Sequence, residues 1–207
     1  RYISLGNRSV SVIGLGAWQF QNPGWGWGTE FGSEDAHAIV RRAVDLGINV
    51  IDTAESYSNG ESEKMVGDAI RSIRDRVLLA TKVSGSHVTK RGVVRAAEQS
   101  LQRLGTDVID LFQIHWYNNL IPPAWTMDGI RELQARGLVN AVGVSNYSVD
   151  HWREAEIALG GTVISNQLPF NLLTRFVEGG QLPYAQANGR VIMAYSPIAM
   201  GMLSGKY

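Results

Sequence analysis

Short apolar runs alternate with amphipathic stretches along the whole chain. Seven of the apolar runs are rich in β-branched and aliphatic residues, which is typical of strands. Several are almost continuously apolar, as expected of parallel strands that are buried on both faces. The pattern predicts strands over residues 9–16, 49–53, 77–81, 108–114, 140–144, 162–166 and 190–195.

The six amphipathic stretches between these runs carry the signals of helix starts and ends. Ser33, Thr89 and Ser148 are predicted N-caps, because a hydroxyl there can accept a hydrogen bond from the first turn. Glycines just past the apolar periodicity predict helix ends, as at Gly105 and Gly160. The pattern predicts helices over residues 33–46, 62–73, 90–104, 122–136, 149–159 and 180–188.

A strand followed by a helix roughly every 30 residues indicates βα units with right-handed crossovers. An open doubly wound sheet and a TIM barrel both use this order. A TIM barrel has eight strands and typically about 250 residues. With 207 residues and seven predicted strands, the chain looks like a barrel that stops before its last strand, but the pattern alone does not choose between the two folds.

Composition excludes several classes of protein. The chain is 44% hydrophobic, enough for a core, and its 19 Lys and Arg balance its 19 Asp and Glu, which argues against a nucleic-acid or anionic-membrane binder. It has no apolar run near 18 residues and no apolar segment at its start, so we expect neither a membrane span nor a signal peptide. The absence of Cys excludes disulfides, thiolate chemistry and Cys-ligated metal. A cytoplasmic location is compatible with this composition.

Four residues that can carry chemistry follow consecutive predicted strands. Asp52, Lys82 and His115 stand at the carboxyl ends of three of them, and Tyr57 lies in the loop after the first. Each alone has an ordinary structural explanation, such as a cap or packing. Together they predict a site, because the carboxyl ends of barrel strands converge on one face, and a buried Lys82 needs a counter-ion such as Asp52.

The four side chains form a coherent acid–base set. A free tyrosine has a pKa of about 10, and a nearby ammonium lowers that value. We therefore expect Lys82 to lower the pKa of Tyr57, so that Tyr57 can exchange a proton with a carbonyl oxygen that His115 orients. None of these residues supplies two electrons, so a hydride must come from a cofactor.

The motifs around these residues resemble the aldo-keto reductase superfamily. They include Asp-Thr-Ala-Glu-Ser-Tyr at 52–57, Thr-Lys-Val at 81–83, Gln-Ile-His-Trp at 113–116, Gly-Val-Ser-Asn-Tyr at 143–147 and the long segment 195–207. The resemblance covers nearly the whole chain. It is closest to bacterial reductases and to the β-subunits of voltage-gated potassium channels.

The resemblance implies a single (β/α)8 TIM-barrel domain over residues 1–207, lacking the eighth strand and the C-terminal segment, and it implies that the sequence is part of a longer chain. It also implies NADP(H) at the carboxyl face, a small carbonyl compound as substrate, and no metal. Asp52, Tyr57, Lys82 and His115 match the catalytic tetrad. Residues matching the cofactor site are Ala17, Trp18, Asp52, Ser145, Asn146, Gln167, Tyr195, Ser196, Pro197, Ile198, Gly201 and Lys206. Substrate would contact Trp18, Tyr57, His115 and Trp116.

Two functions stay open. One is an NADPH-dependent reductase of aldehydes and ketones, and the other is a nicotinamide-binding regulatory subunit like those of the channels. His115 favours the enzyme, because the channel subunits typically have Asn at this position. A metal-dependent hydrolase fits poorly, since Lys82 would repel a cation. The physiological substrate and the oligomeric state are not readable from the sequence.

Overall fold

A computed structural model describes residues 1–205 of the chain. An antiparallel hairpin comes first, formed by β1 (Tyr2–Leu5) and β2 (Arg8–Ser11). Seven strands then form one parallel sheet in sequence order: β3 (Gly14–Gly16), β4 (Val50–Asp52), β5 (Leu78–Val83), β6 (Ile109–Ile114), β7 (Val139–Ser145), β8 (Ser165–Pro169) and β9 (Val191–Tyr195). This curled sheet, with a helix in every crossover, is the α/β arrangement of a (β/α)8 barrel lacking its C-terminal part.

The crossovers between consecutive strands contain the helices α1 (Ser33–Asp45), α2 (Glu61–Ile70), α3 (Lys90–Leu104), α4 (Pro123–Ala135), α5 (Val149–Leu159) and α6 (Gln181–Asn188). Thr89 and Ser148 are the N-caps that the sequence predicts. The prediction for Ser33 is wrong, because Gly32 occupies the N-cap and donates its N–H to the carboxylate of Asp35 at 2.9 Å.

Two strand predictions differ from the structure. The predicted strand 9–16 is two elements, because the chain leaves the hairpin after Ser11 and enters the parallel sheet only at Gly14. The predicted strand 162–166 begins three residues later. The backbone of Val163 bonds to two side chains of α5 instead of to the sheet: its N–H donates to Glu156 and its carbonyl accepts from Trp152.

The hairpin covers the amino-terminal end of the barrel. Leu5 and Val10 pack with interior residues from the beginnings of the strands, among them Val50 and Leu78. Larger apolar clusters lie between the sheet and its helices. Because the hairpin occupies one end of the barrel, the opposite end, where the strands terminate, is the end available for a site.

Among residues 1–205, no helix is both long and apolar enough to cross a membrane.

Candidate active site

The four side chains that the sequence places at strand ends meet at the carboxyl edge of the sheet. Asp52 ends β4, Lys82 is the next-to-last residue of β5, and His115 directly follows β6. Tyr57 begins the short 3-10 helix Tyr57–Gly60, in the loop that follows β4. The rings of Tyr57 and His115 lie edge to face with their centroids 5.8 Å apart.

Lys82 is the centre of this group. Its side chain is fully buried, and its ammonium donates three hydrogen bonds: to the Asp52 Oδ2 at 2.6 Å, to the Thr53 carbonyl at 2.8 Å and to the Tyr57 hydroxyl at 3.2 Å. A buried ammonium requires such partners, since it has lost its water. All three donors of Nζ are therefore used, and one of them is aimed at Tyr57.

Asp52 is held from its other side by two amides. Its Oδ1 accepts hydrogen bonds from Nε2 of Gln113 at 3.1 Å and from Nε2 of Gln167 at 3.0 Å. Gln113 was not predicted as a site residue from the sequence. A signal was present, because Gln113 is a polar residue in an apolar strand and lies two positions before His115, on the same face.

The pKa of Tyr57 departs from the expectation based on the sequence. Burial raises this pKa, the Lys82 ammonium lowers it, and the Asp52 carboxylate raises it again, with a net shift upward. Lys82 thus lowers the pKa of Tyr57 as expected, but the expected net lowering is wrong. The physical reason is that removing the tyrosinate from water costs more than the attraction of Lys82 returns.

Burial and the positive charge of Lys82 lower the pKa of His115 from 6.5 to about 4, so this imidazole is neutral at neutral pH. Its Nδ1 lies 3.4 Å from the hydroxyl of Ser56, and Trp116 stacks beside it with an interplanar angle of 19°. Burial alone would lower the pKa of Lys82, but the contacts with Asp52 and Tyr57 have the larger effect and raise this pKa. At neutral pH the site therefore contains a charged Lys82 beside neutral Tyr57 and His115.

Four residues that the resemblance assigns to the cofactor lie next to this group. Asn146 has a left-handed backbone (φ 62°), and its amide bridges the Ser145 hydroxyl (2.9 Å) and the His115 carbonyl (3.2 Å). The Tyr195 hydroxyl donates to Asn146 Oδ1 at 3.1 Å, and the Ser145 hydroxyl donates to the Gln167 carbonyl at 2.9 Å. The structure thus connects the ends of β6, β7, β8 and β9 by side-chain hydrogen bonds.

Ala17 and Trp18 follow β3 beside the same edge. Ala17 is buried, and its N–H donates to the backbone carbonyl of Asp52 at 2.8 Å. Trp18 is half-exposed and packs on Trp25, with ring centroids 4.7 Å apart. The sequence alone does not place Trp25 at the site, because a tryptophan in a glycine-rich loop packs on its own loop as readily as it lines a pocket.

The loop after β9 has an unusual backbone. Ser196, Ala199 and Met200 have positive φ values of 50°, 48° and 53°, and Gly201 follows at 97°. Within the loop, the N–H groups of Ala199 and Gly201 donate to the carbonyls of Ser196 and Ile198, so the segment is a series of tight turns. The other loop residues expected at the cofactor are Pro197 and Ile198, which are exposed, and Lys206, which lies outside the described residues.

Across residues 1–205, no group of three or more His, Asp and Glu side chains is arranged to hold a metal ion. His87 lies 2.9 Å from the carboxylate of Glu55. His151 stacks on Tyr117 at 3.6 Å.

Comparison with known proteins gives relatives over nearly the whole chain. An uncharacterized oxidoreductase of Mycobacterium tuberculosis is 41% identical over 198 residues, which is 96% of this chain and 61% of that protein. Methylglyoxal reductase YeaE of Escherichia coli is 35% identical over 184 residues, which is 86% of this chain and 64% of that protein. The chain therefore spans less than two thirds of the length of these relatives.

A solved structure agrees with these sequence matches. The aldo/keto reductase of Klebsiella pneumoniae, solved in complex with NADP and acetate, superposes with a TM-score of 0.82 at 36% identity, covering 95% of this chain and 68% of that one. The sequence profile of the aldo/keto reductase family matches residues 12–207. From the profile, the relatives and the shared fold, we conclude that the chain belongs to the aldo/keto reductase family.

Proposed function

We propose that this chain carries the activity of an NADPH-dependent reductase that converts aldehydes and ketones into alcohols, with Tyr57 as the proton donor. The observation that carries the proposal is the contact of the Lys82 ammonium with the Tyr57 hydroxyl at 3.2 Å, beside a neutral His115. Support for a small aldehyde as substrate comes from the methylglyoxal reductase of Escherichia coli described above.

The residues around the site fit a nicotinamide dinucleotide. Ser145, Asn146 and Gln167 supply hydroxyl and amide groups that suit a carboxamide, and the half-buried ring of Tyr195 suits stacking on a flat heterocycle. We assign the loop 196–201 to the pyrophosphate from the resemblance and from its position directly after β9, and Ala17 and Trp18 complete the proposed site. The Klebsiella pneumoniae relative was solved with NADP. When bound, NADPH supplies the hydride that no side chain can supply.

His115 and Tyr57 would act together on the carbonyl oxygen. Because His115 is neutral, one ring nitrogen carries hydrogen and can donate, while the other can accept. If the Ser56 hydroxyl donates to Nδ1, the hydrogen is on Nε2, which is then free to bind the carbonyl oxygen and orient it. The backbone carbonyl of His115 accepts from Asn146, and this bond ties His115 to the proposed cofactor site.

Tyr57 would give its proton to that oxygen. Its raised pKa keeps the hydroxyl protonated at neutral pH, which is the form that reduction requires. As the proton leaves, the tyrosinate forms next to the Lys82 ammonium, and Asp52 keeps that ammonium in place. Lys82 therefore stabilises the product of the proton transfer more than the starting hydroxyl.

The test compares NADPH oxidation by the wild-type protein with that of a Tyr57→Phe variant, using methylglyoxal and an aromatic aldehyde. Tyr2→Phe is the matched control, because Tyr2 bonds to Gly47 at the opposite end of the barrel. We expect Tyr57→Phe to lower kcat by about 100-fold or more, and Tyr2→Phe to leave it unchanged. Unchanged turnover in Tyr57→Phe would refute the proposed role. Tight NADPH binding without turnover of either aldehyde would favour the regulatory subunit.

A further inference from the structure

Gln113 is a fully buried polar residue whose place in the barrel calls for an explanation. It lies on β6 directly opposite Lys82 of β5, so both side chains point to the same face of the sheet. Its Nε2 donates to Asp52 Oδ1 at 3.1 Å, beside the second amide donor, Gln167. One carboxylate thus accepts hydrogen bonds from three strands: β5 through Lys82, β6 through Gln113 and β8 through Gln167.

The amide of Gln113 has only one workable orientation. If its two ends were exchanged, the carbonyl oxygen would face the carboxylate of Asp52 and repel it. In the orientation present, Oε1 points away and accepts no hydrogen bond from any of residues 1–205. A buried carbonyl without a donor is costly, and an apolar side chain of similar length would fill this space without that cost. The hydrogen bond to Asp52 is therefore what distinguishes glutamine from an apolar residue here.

Holding Asp52 also determines where Lys82 points. With Oδ1 occupied by the two amides, Oδ2 is the oxygen that faces the ammonium, at 2.6 Å. Together with the Thr53 carbonyl, this contact leaves one Nζ hydrogen for the Tyr57 hydroxyl. A rotation of the Asp52 carboxylate would move Oδ2, and with it the direction in which the Lys82 ammonium points toward Tyr57.

We propose that Gln113 is a positioning residue, which together with Gln167 holds Asp52 so that the Lys82 ammonium stays aimed at the hydroxyl of Tyr57. The inference rests on the proposed function, in which Tyr57 is the proton donor. Because Gln167 also belongs to the proposed cofactor site, the two amides connect that site to the acid–base group through a single carboxylate.

The experiment titrates Tyr57 in the protein without cofactor or substrate. Protein labelled with 13C at tyrosine Cζ is followed by NMR as the pH rises, and the Tyr57 signal is assigned by its loss in Tyr57→Phe. In Gln113→Met, which removes the amide and keeps the length, we expect the pKa of Tyr57 to rise further by about half a unit or more, because Lys82 is less well aimed. We also expect kcat to fall about tenfold while KM stays within about threefold.

Ser165→Ala is the matched control. Ser165 lies in the same layer of the barrel, since a Cβ added at Gly143 would be 2.5 Å from its hydroxyl and 3.1 Å from Gln113 Cγ. Its hydroxyl is also buried and bonds to no described residue, so its removal changes a neighbouring buried polar group without touching Asp52. We expect the pKa of Tyr57 to be unchanged in this variant.

Circular dichroism and urea unfolding establish that Gln113→Met is folded, and Gln113→Leu takes its place if it is not. A folded variant in which the pKa of Tyr57 stays within about 0.2 units of the wild type overturns the proposal. A shift of equal size in Ser165→Ala also overturns it, because the effect would then belong to the barrel interior in general. The proposed function fails separately, through full reductase activity in Tyr57→Phe.

Discussion

Removing the ammonium of Lys82 tests how the charges of the site depend on one another. Lys82 is fully buried and Asp52 is 14% exposed, with 2.6 Å between Nζ and Oδ2. At an effective dielectric constant of about 20, unit charges at this distance attract by about 6 kcal/mol. Taking each ion out of water costs several kcal/mol, so attraction and desolvation nearly cancel and the pair as a whole contributes little to stability.

Breaking the pair on one side has a much larger effect. In Lys82→Met the carboxylate of Asp52 stays in the barrel without its counter-ion, and such a change costs about 3–5 kcal/mol. In the double variant Asp52→Asn/Lys82→Met both charges are gone, and the Asn oxygen still offers an acceptor to the amides of Gln113 and Gln167. We therefore expect the double variant to recover most of the stability that Lys82→Met loses.

The assay is urea denaturation at neutral pH of the wild type, both single variants and the double variant. We expect a coupling free energy between the two positions of about 2 kcal/mol or more. Turnover should not recover with stability, because the double variant still lacks the ammonium next to Tyr57. A free energy of unfolding of Lys82→Met within about 1 kcal/mol of the wild type would show that Asp52 does not need this counter-ion. A double variant that loses the sum of the two single losses would show that the two charges are not coupled.

Three further predictions concern stability. The pKa of His115 is lowered to about 4, so between about pH 4 and 6.5 the unfolded chain binds a proton that the folded chain does not. The free energy of unfolding in urea should therefore rise with pH in this window, and it should rise less steeply in His115→Gln. Ser58 has a left-handed backbone (φ 48°), so Ser58→Gly should raise the free energy of unfolding by up to about 1 kcal/mol, whereas Ser56→Gly, at φ −79°, should lower it. Gly67→Ala would place a Cβ against the backbone of Leu104, so its urea midpoint should fall, with a loss of about 1–3 kcal/mol, although Ala is the better helix former.

The order of strands and helices was predictable because both signals are local. Thr89 and Ser148 cap helices through hydrogen bonds that span only three residues, so the sequence contains all that is needed. The prediction of Ser33 as N-cap was wrong for an equally local reason: Gly32, one residue earlier, is the N-cap, and its N–H donates to Asp35. The predicted strand 9–16 merged two elements, because one continuous apolar run contains residues of both the hairpin and the parallel sheet.

The convergence of Asp52, Lys82 and His115 was also determined by the sequence, because parallel strands in a barrel bring their carboxyl ends to one face. The tertiary structure decided how strongly burial and neighbouring charges act on each of these groups. The pKa of Tyr57 rises instead of falling, and Gln113 becomes a partner of Asp52, because burial and contact depend on residues far apart in the chain. Spacing along a sequence determines which groups can meet, whereas desolvation and distance, which only the folded chain sets, determine what they do to one another.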